Sequence, residues 1–422
     1  MQEEYLHYLW RMKRLNFNQL KLTDGSTVSV SQVGWYNLDA GPDFFNGTVA
    51  INGIKWSGNI ELHIKSSDWY LHKHHLDQAY DNVILHVVYE HDKEVLVNDV
   101  PLPTIELKSQ IDLSHFRNYQ RIISTTRKVP CSDVVMDHQL ALLQQIDVLF
   151  LHRIERKGLE LIELMNVEKR GQNEILLAAI FKAIGGRVNK LPMQELACII
   201  PYQLVLKERW DTTRLESLFF GAAGLLNDPI EDHYFLKLQS LWKLLKHKHG
   251  LPEMNASSWK FSGIRPHSFP TILIAQVVAL LSYFEFHNLS ALTSLELIEK
   301  IKHLPDSTIN AYWKTHYVFG KKAKPRKLGF SRLFKQNLLI NGFVPYFIAL
   351  KHLRNDFGFS DKIIDLMEEL PPETNNVVKY WENIGFRPKN ALESQGLLEL
   401  NNEFCNFKKC LSCKVGMANL EK

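Results

Sequence analysis

The sequence predicts an α+β protein: an N-terminal α/β unit followed by a large all-helical domain. Two observations carry this. Up to about residue 110, helical periodicity alternates with short β-type runs and hairpin turns, whereas from about Leu113 apolar residues recur mainly at helical spacing. A chain of 422 residues also exceeds one ordinary core, which favours two or three domains. The expected division is 1–128, 129–400 and a cysteine-containing segment 401–422 that packs back on the chain, with the first boundary at Lys128-Val129-Pro130.

The elements follow in order. Residues 3–14 read as an amphipathic helix, with Tyr5, Leu6, Leu9 and Met12 on one face and Glu3 and Glu4 in the first turn, where they suit the helix dipole. Asp24-Gly25 is a turn, and Val28, Val30 and Val33 suggest a strand. Residues 37–43 form a loop punctuated by Asp39, Gly41 and Pro42. Residues 44–51 and 54–64 are strands joined by Asn52-Gly53, the strongest hairpin signal in the chain. Ser66-Ser67-Asp68 ends the second strand. A helix is expected over 69–80, then strands over 83–89 and 103–107. Beyond these, helices are expected over 146–165, 173–185, 192–205, 231–246, 271–286, 294–303, 331–353 and 361–369.

Hydrophobic content of 45% and charged content of 23% fit a soluble protein. The longest apolar run, 272–283, is interrupted by Gln276 and is too short to span a bilayer. The N-terminus is acidic first and basic later, the wrong order for a secretory signal. A cytoplasmic protein without membrane contact is expected. A net charge of +4 permits DNA or RNA as partner without arguing for either.

Three groups of residues carry chemistry. The first is Asp43, Glu61, His63 and Lys65. Side chains 61, 63 and 65 share one strand face, and pairing across Asn52-Gly53 brings Asp43 near Glu61 and His63. Carboxylates on neighbouring strands are hard ligands for Mg²⁺ or Mn²⁺, and a nearby basic group can orient water. The second is the histidine group His63, His72, His74, His75, His86 and His91, with Asp68 and Asp77. Imidazole suits Zn²⁺ and other transition ions, and His72 and His75 share a face if their segment is helical. His86, in an apolar strand, is expected to face the core. The third is Cys405-x4-Cys410-x2-Cys413. Three thiolates need a fourth, for which Cys131 is the best candidate, to close a Zn²⁺ or [4Fe–4S] site. A basic run from Lys314 to Lys327, preceded by Tyr312, Trp313, Tyr317 and Phe319, reads as a solvated loop or a nucleic-acid contact.

The Asp43, Glu61, Lys65 pattern resembles the PD-(D/E)xK nuclease superfamily. That resemblance implies a restriction-endonuclease-like core in which Asp43 and Glu61 bind metal and Glu3 or Glu4 of the first helix assists. The third motif position is His63 where the pattern has lysine. Lys65 could substitute, or His63 could bind metal or act as a base. One upstream cysteine with three at the C-terminus resembles the iron staple of some of these nucleases, although the order of spacings differs. Taken whole, AGPDFFNGTV, GNIELHIKSSDW, AYDNVILHVVY and the terminal cysteines resemble an uncharacterised bacterial family found mainly in Bacteroidetes, domain of unknown function 2851. Three readings follow: a metal-dependent nuclease, a degenerate nuclease fold binding nucleic acid or protein, and a His-ligated metal hydrolase of another substrate.

Overall fold

The computed structural model describes residues 1–37, 39–283, 294–305 and 309–420. The chain falls into two compact units, residues 1–142 with 403–422, and residues 143–402. The architecture is α+β, with a sheet in the first unit and a large helical second unit. Residue 128 lies inside the first unit, as does the C-terminal segment bearing three cysteines.

In the first unit, α1 (Glu3–Arg11) buries Tyr5, Leu6 and Leu9 as its periodicity requires. The strands are β1 (Val28–Gln32), β2 (Trp35–Tyr36), β3 (Phe44–Ile51), β4 (Ile54–Lys65), β5 (Val83–Glu90), β6 (Leu96–Val97), β7 (Val100–Pro101) and β8 (Thr104–Glu106). The main sheet runs β1-β3-β4-β5-β8 with β2 on β3, while β6 and β7 pair separately. β1, β3 and β4 are antiparallel neighbours, and β5 and β8 continue in parallel. Antiparallel neighbours can share a tight turn; a parallel pair needs a crossover, supplied between β4 and β5 by residues 66–82. Asn52 and Gly53 have φ of 49° and 84°, the left-handed pair that a two-residue hairpin demands.

One irregularity in β3 matters for the site. Its register with β4 slips between Phe44 and Gly47, and Asn46 takes a left-handed φ of 55°. An extra residue on one strand bends it and re-aims what precedes it. Gly47 leaves room there for the Ile60 side chain, whose Cδ1 a Cβ at that position would meet at 2.5 Å and displace. The even-numbered face of β4 (Ile60, Leu62) joins α1 and α3 (Leu113–Ser124) in one apolar core. The odd-numbered face, Glu61 and His63, turns toward the crossover.

The crossover departs from the expected helix over 69–80. It holds one helical turn, α2 (Asp68–Leu71), and two short 3-10 turns, His74–Leu76 and Gln78–Tyr80. Lys73 between them has φ 62°, a conformation that cannot continue a right-handed helix.

The second unit consists of helices around a large apolar core and one small hairpin, His316–Val318 with Lys321–Lys322. The expected helix 192–205 is two, Lys190–Ile199 and Tyr202–Glu208, because Pro201 lacks the N–H to continue the first. The expected helix 331–353 holds a π turn, Leu339–Phe343, just before Pro345, where the wider turn accommodates the missing donor. Helix Pro270–Tyr283 matches its expectation to residue 283; residues 284–286 lie outside the described residues. Helices Thr212–Ala222, Asn376–Asn383 and Ala391–Glu399 add to those expected. In the basic segment, Trp313 and Phe319 are buried and Arg326 lies over the Tyr317 ring at 3.5 Å, so these aromatics serve packing. No described helix is long and apolar enough to cross a membrane.

A buried acid in this unit gives a first prediction. Glu216 is fully buried, accepting from Trp313 Nε1 at 3.0 Å and from the Tyr234 hydroxyl. Burial pushes its carboxyl up to about 7, despite the hydrogen bonds opposing the shift. Folded protein therefore keeps a proton that unfolded protein has lost. This contribution is full below the ordinary carboxyl value of 4.5 and fades as pH rises to about 7. Its size is about 3 kcal/mol. Glu216→Gln should flatten the fall in stability over that window; denaturant unfolding at a series of pH values would test it, and an unchanged slope would count against it.

Candidate metal centre

The bulge in β3 delivers Asp43 to β4. Its backbone N–H donates to Glu61 Oε2 at 3.0 Å, and Asp43 Oδ2 accepts from the Leu62 N–H at 2.9 Å. The two carboxylates are thus locked to neighbouring strands. His63, two residues beyond Glu61 on the same face, brings Nε2 to 3.5 Å from Glu61 Oε1. The left-handed turn at Lys73 then folds His74 inward, with Nε2 at 3.3 Å from the same oxygen. His72 Nδ1 lies 3.1 Å from His63 Nε2. Ligand atoms of His63, His72 and His74 all lie within 4.8 Å of one another. Donors around one ion bound at about 2.0–2.2 Å stand about 3.0–3.5 Å apart. The three histidines gather within 4.8 Å and Glu61 Oε1 borders His63 and His74, so a small closing of the histidines would hold a single transition-metal ion.

The electrostatics favour lone pairs over protons. Burial first, then the neighbouring imidazoles, pull His63 down to about 2. His86 is pulled down to about 3 by burial and by His74 and His91, and burial lowers His74 as well. These rings are neutral near pH 7, as metal ligands must be. Burial and the adjacent Asp43 charge push Glu61 up to about 9. A cation would relieve both costs at once.

Around this group lie supporting residues. His63 Nδ1 is 2.9 Å from His86 Nε2, so a His63 that gives Nε2 to an ion donates its Nδ1–H to His86. Tyr80 stacks on His74 with ring centroids 3.8 Å apart. From α1, His7 Nε2 reaches Asp43 Oδ2 at 3.2 Å. Burial alone would lower His7, but the hydrogen bond and charge of Asp43 outweigh it and its affinity for a proton is raised. Glu3, raised by burial, lies within the field of His7 and Asp43.

Not every expected residue joins the cluster. Glu4 is exposed and approaches the Tyr119 hydroxyl at 3.5 Å; Glu3 is the helix acid on the Asp43 side. Lys65 ends β4, exposed, its N–H held by Asp68 Oδ2 at 2.9 Å. His75 is exposed and sits against Tyr70, where the expected helical face would have placed it beside His72. His7 was not foreseen, although Glu3 and His7 are one helical turn apart and so share a face.

His86 offers a second prediction. Replacing it with leucine removes the group that fixes the His63 ring, which should weaken metal affinity about 10–100-fold. Calorimetric titration with Mn²⁺ or Zn²⁺ would measure it. His75→Ala should leave affinity unchanged, and equal losses in both variants would contradict the assignment.

No curated protein and no solved structure matches the chain. A family model described as "Protein of unknown function (DUF2851)" matches residues 3–376. The match covers most of the chain, including every residue of the cluster just described, and the protein belongs to that family.

Proposed function

We propose that the N-terminal unit is a metal-dependent phosphodiesterase acting on DNA or RNA, with a transition ion of the Mn²⁺ or Zn²⁺ class in preference to Mg²⁺. The observation that carries the reading is the gathering of His63, His72 and His74, with Glu61 Oε1 against His63 and His74 and Asp43 on the adjoining strand. Imidazoles favour a transition ion, whereas Mg²⁺ prefers an oxygen shell that keeps several waters. The bound ion would activate water and offset charge on the phosphoryl group.

The chain's own residues have separable roles. Glu61 and the histidine trio hold the ion. His86 orients His63. Asp43 positions Glu61 through its backbone N–H and holds His7 through its carboxylate. His7, whose proton affinity is raised, can give a proton to the departing oxygen. The resemblance to PD-(D/E)xK nucleases rests on Asp43 and Glu61. His63, neutral and buried, cannot supply the positive charge of the motif lysine, and in this reading it is a ligand instead.

The test is cleavage of single- and double-stranded DNA and RNA with Mn²⁺, Zn²⁺ or Mg²⁺, comparing wild type with Asp43→Ala and Glu61→Ala. Metal-dependent cleavage lost in both variants supports the proposal. Cleavage surviving both substitutions overturns the site. The histidine-rich donor set also suits hydrolysis of a different substrate. Turnover of a small aryl phosphodiester without cleavage of any nucleic acid would favour that second reading. Metal binding without turnover of either would favour a binding module.

A further inference from the structure

Away from the histidine cluster, the first unit holds a second set of metal-ligating side chains. Cys131, Cys405, Cys410 and Cys413 are all free thiols; Cys131, Cys410 and Cys413 are buried and Cys405 is half-buried. Cys131 lies in a turn, where its carbonyl accepts from the Val134 N–H at 3.0 Å. The other three lie in the C-terminal segment, which is fastened to the same unit by Arg11 Nη2 donating to Leu411 O at 3.1 Å and by Lys408 Nζ donating to Ile123 O. The fifth cysteine, Cys198, lies in the second unit.

The four thiols form one group. Each of the six pairs among them is close enough for the charge on one to act on the other. Burial, then the neighbouring sulfurs, push Cys131 and Cys410 up to about 12 and Cys405 well above its ordinary value. Cys413 is raised by burial although its sulfur accepts from the N–H groups of Val415 and Gly416. Four thiols gathered from residues 131 and 405–413, none in a disulfide, supply the four soft donors that a thiolate-ligated metal centre takes.

The spacing of the sulfurs narrows the choice of cation. Zinc at about 2.3 Å from each thiolate would draw the sulfurs to about 3.8 Å of one another. Among the described residues, the trio of ligand atoms drawn within 4.8 Å is the histidine one, so no three of these sulfurs are that close. A cubane is itself several ångströms wide and requires a more open tetrahedron. Cys405 also borders a cleft with Arg127, Lys128 and Lys408, cations that suit an anionic cluster.

We propose that Cys131, Cys405, Cys410 and Cys413 ligate a [4Fe–4S] cluster that fastens the C-terminal segment to the α/β unit. Each thiol gives up its proton on ligation, and the four thiolates occupy one iron each. The site is separate from the histidine cluster and does not depend on the hydrolase reading.

The experiment uses the full-length chain, purified without oxygen and, in parallel, reconstituted with equal amounts of ferrous and ferric iron and with sulfide. About four iron and four acid-labile sulfide per chain, with a broad visible absorption, are expected for wild type. The cluster should survive Cys198→Ser and His63→Ala and be lost in Cys131→Ser and Cys413→Ser. Circular dichroism of the variants shows whether they fold, and the wild-type stoichiometry stands without them. Stoichiometric zinc without iron, no metal after reconstitution, or full iron and sulfide in both serine variants would each overturn the proposal. Iron without sulfide that disappears in His63→Ala would belong to the other site and would also overturn it.

Discussion

Replacing Glu61 with glutamine should remove metal-dependent hydrolysis by about 10³-fold or more while leaving the fold intact. A bound ion supplies several kcal/mol of transition-state stabilisation, and each 1.36 kcal/mol is a factor of ten. Glu61 Oε1 stands 3.5 Å from His63 Nε2 and 3.3 Å from His74 Nε2 and is the acid that an ion held by those rings would meet. Without metal, burial and Asp43 hold the Glu61 carboxyl toward its protonated form, up to about 9. Glutamine has nearly the shape and charge of that form, and its carbonyl can still accept from the Asp43 N–H. The variant should therefore unfold at the same denaturant concentration as metal-free wild type, or a higher one. The separation is the informative part. Wild type should be stabilised by added Mn²⁺ or Zn²⁺, since a ligand that binds only the folded state shifts unfolding by mass action. Glu61→Gln should show little of that shift. A variant that retains both the metal-induced stabilisation and turnover would place the ion elsewhere; one that unfolds without metal would show Glu61 to be structural.

The parts of the site legible in the sequence are those set by local rules. Asn52-Gly53 fixes a hairpin, the hairpin fixes which residues of β3 and β4 face each other, and period two puts Glu61 and His63 on one face. Asp43 follows, even though the bulge at Asn46 that aims it was not foreseen. What escaped depends on non-local choices. His74 replaces His75 because Lys73 adopts a left-handed φ that no lysine announces in sequence. Glu3 rather than Glu4 faces Asp43 because packing of Tyr5, Leu6 and Leu9 sets the rotation of α1, and that same rotation brings in His7. In the second unit, helical periodicity locates most segments. Pro201 divides one and Pro345 widens a turn in another, since proline acts through a missing hydrogen bond that apolar spacing does not register. Thr212–Ala222 is buried along nearly its whole length, so it lacks the polar stripe that periodicity detects.

Glu399→Leu should destabilise the second unit by about 3 kcal/mol, the lower end of the cost of breaking a buried ion pair, because Glu399 is buried and Arg153 is largely shielded from water. Glu399 is fully buried. Arg153 Nη1 donates to Oε2 at 2.7 Å, and Arg156 Nη2 donates to both oxygens at 3.0 and 3.1 Å. Burial alone would raise the Glu399 carboxyl, but the arginines outweigh it and hold it below the ordinary range. The consequences extend to Lys157, one turn along the helix from Arg153. Its ammonium donates to Asn341 at 2.6 Å, and burial followed by repulsion from Arg153 already pulls it down to about 7, with Glu373 and Glu399 opposing the fall. Removing Glu399 takes away one of those opposing charges. Arg153 is the partner that cannot escape, its side chain being 13% exposed, whereas Arg156 at 40% can turn to water. Combining Glu399→Leu with Arg153→Met should therefore cost clearly less than the sum of the two single substitutions. Denaturant unfolding of all four proteins in a double-mutant cycle measures the difference, and hydrogen exchange in helix Gln172–Ile184 assigns it to this unit. A single-substitution loss below about 1 kcal/mol, the range of an exposed ion pair, would mean that water reaches the arginines and that the network is not closed.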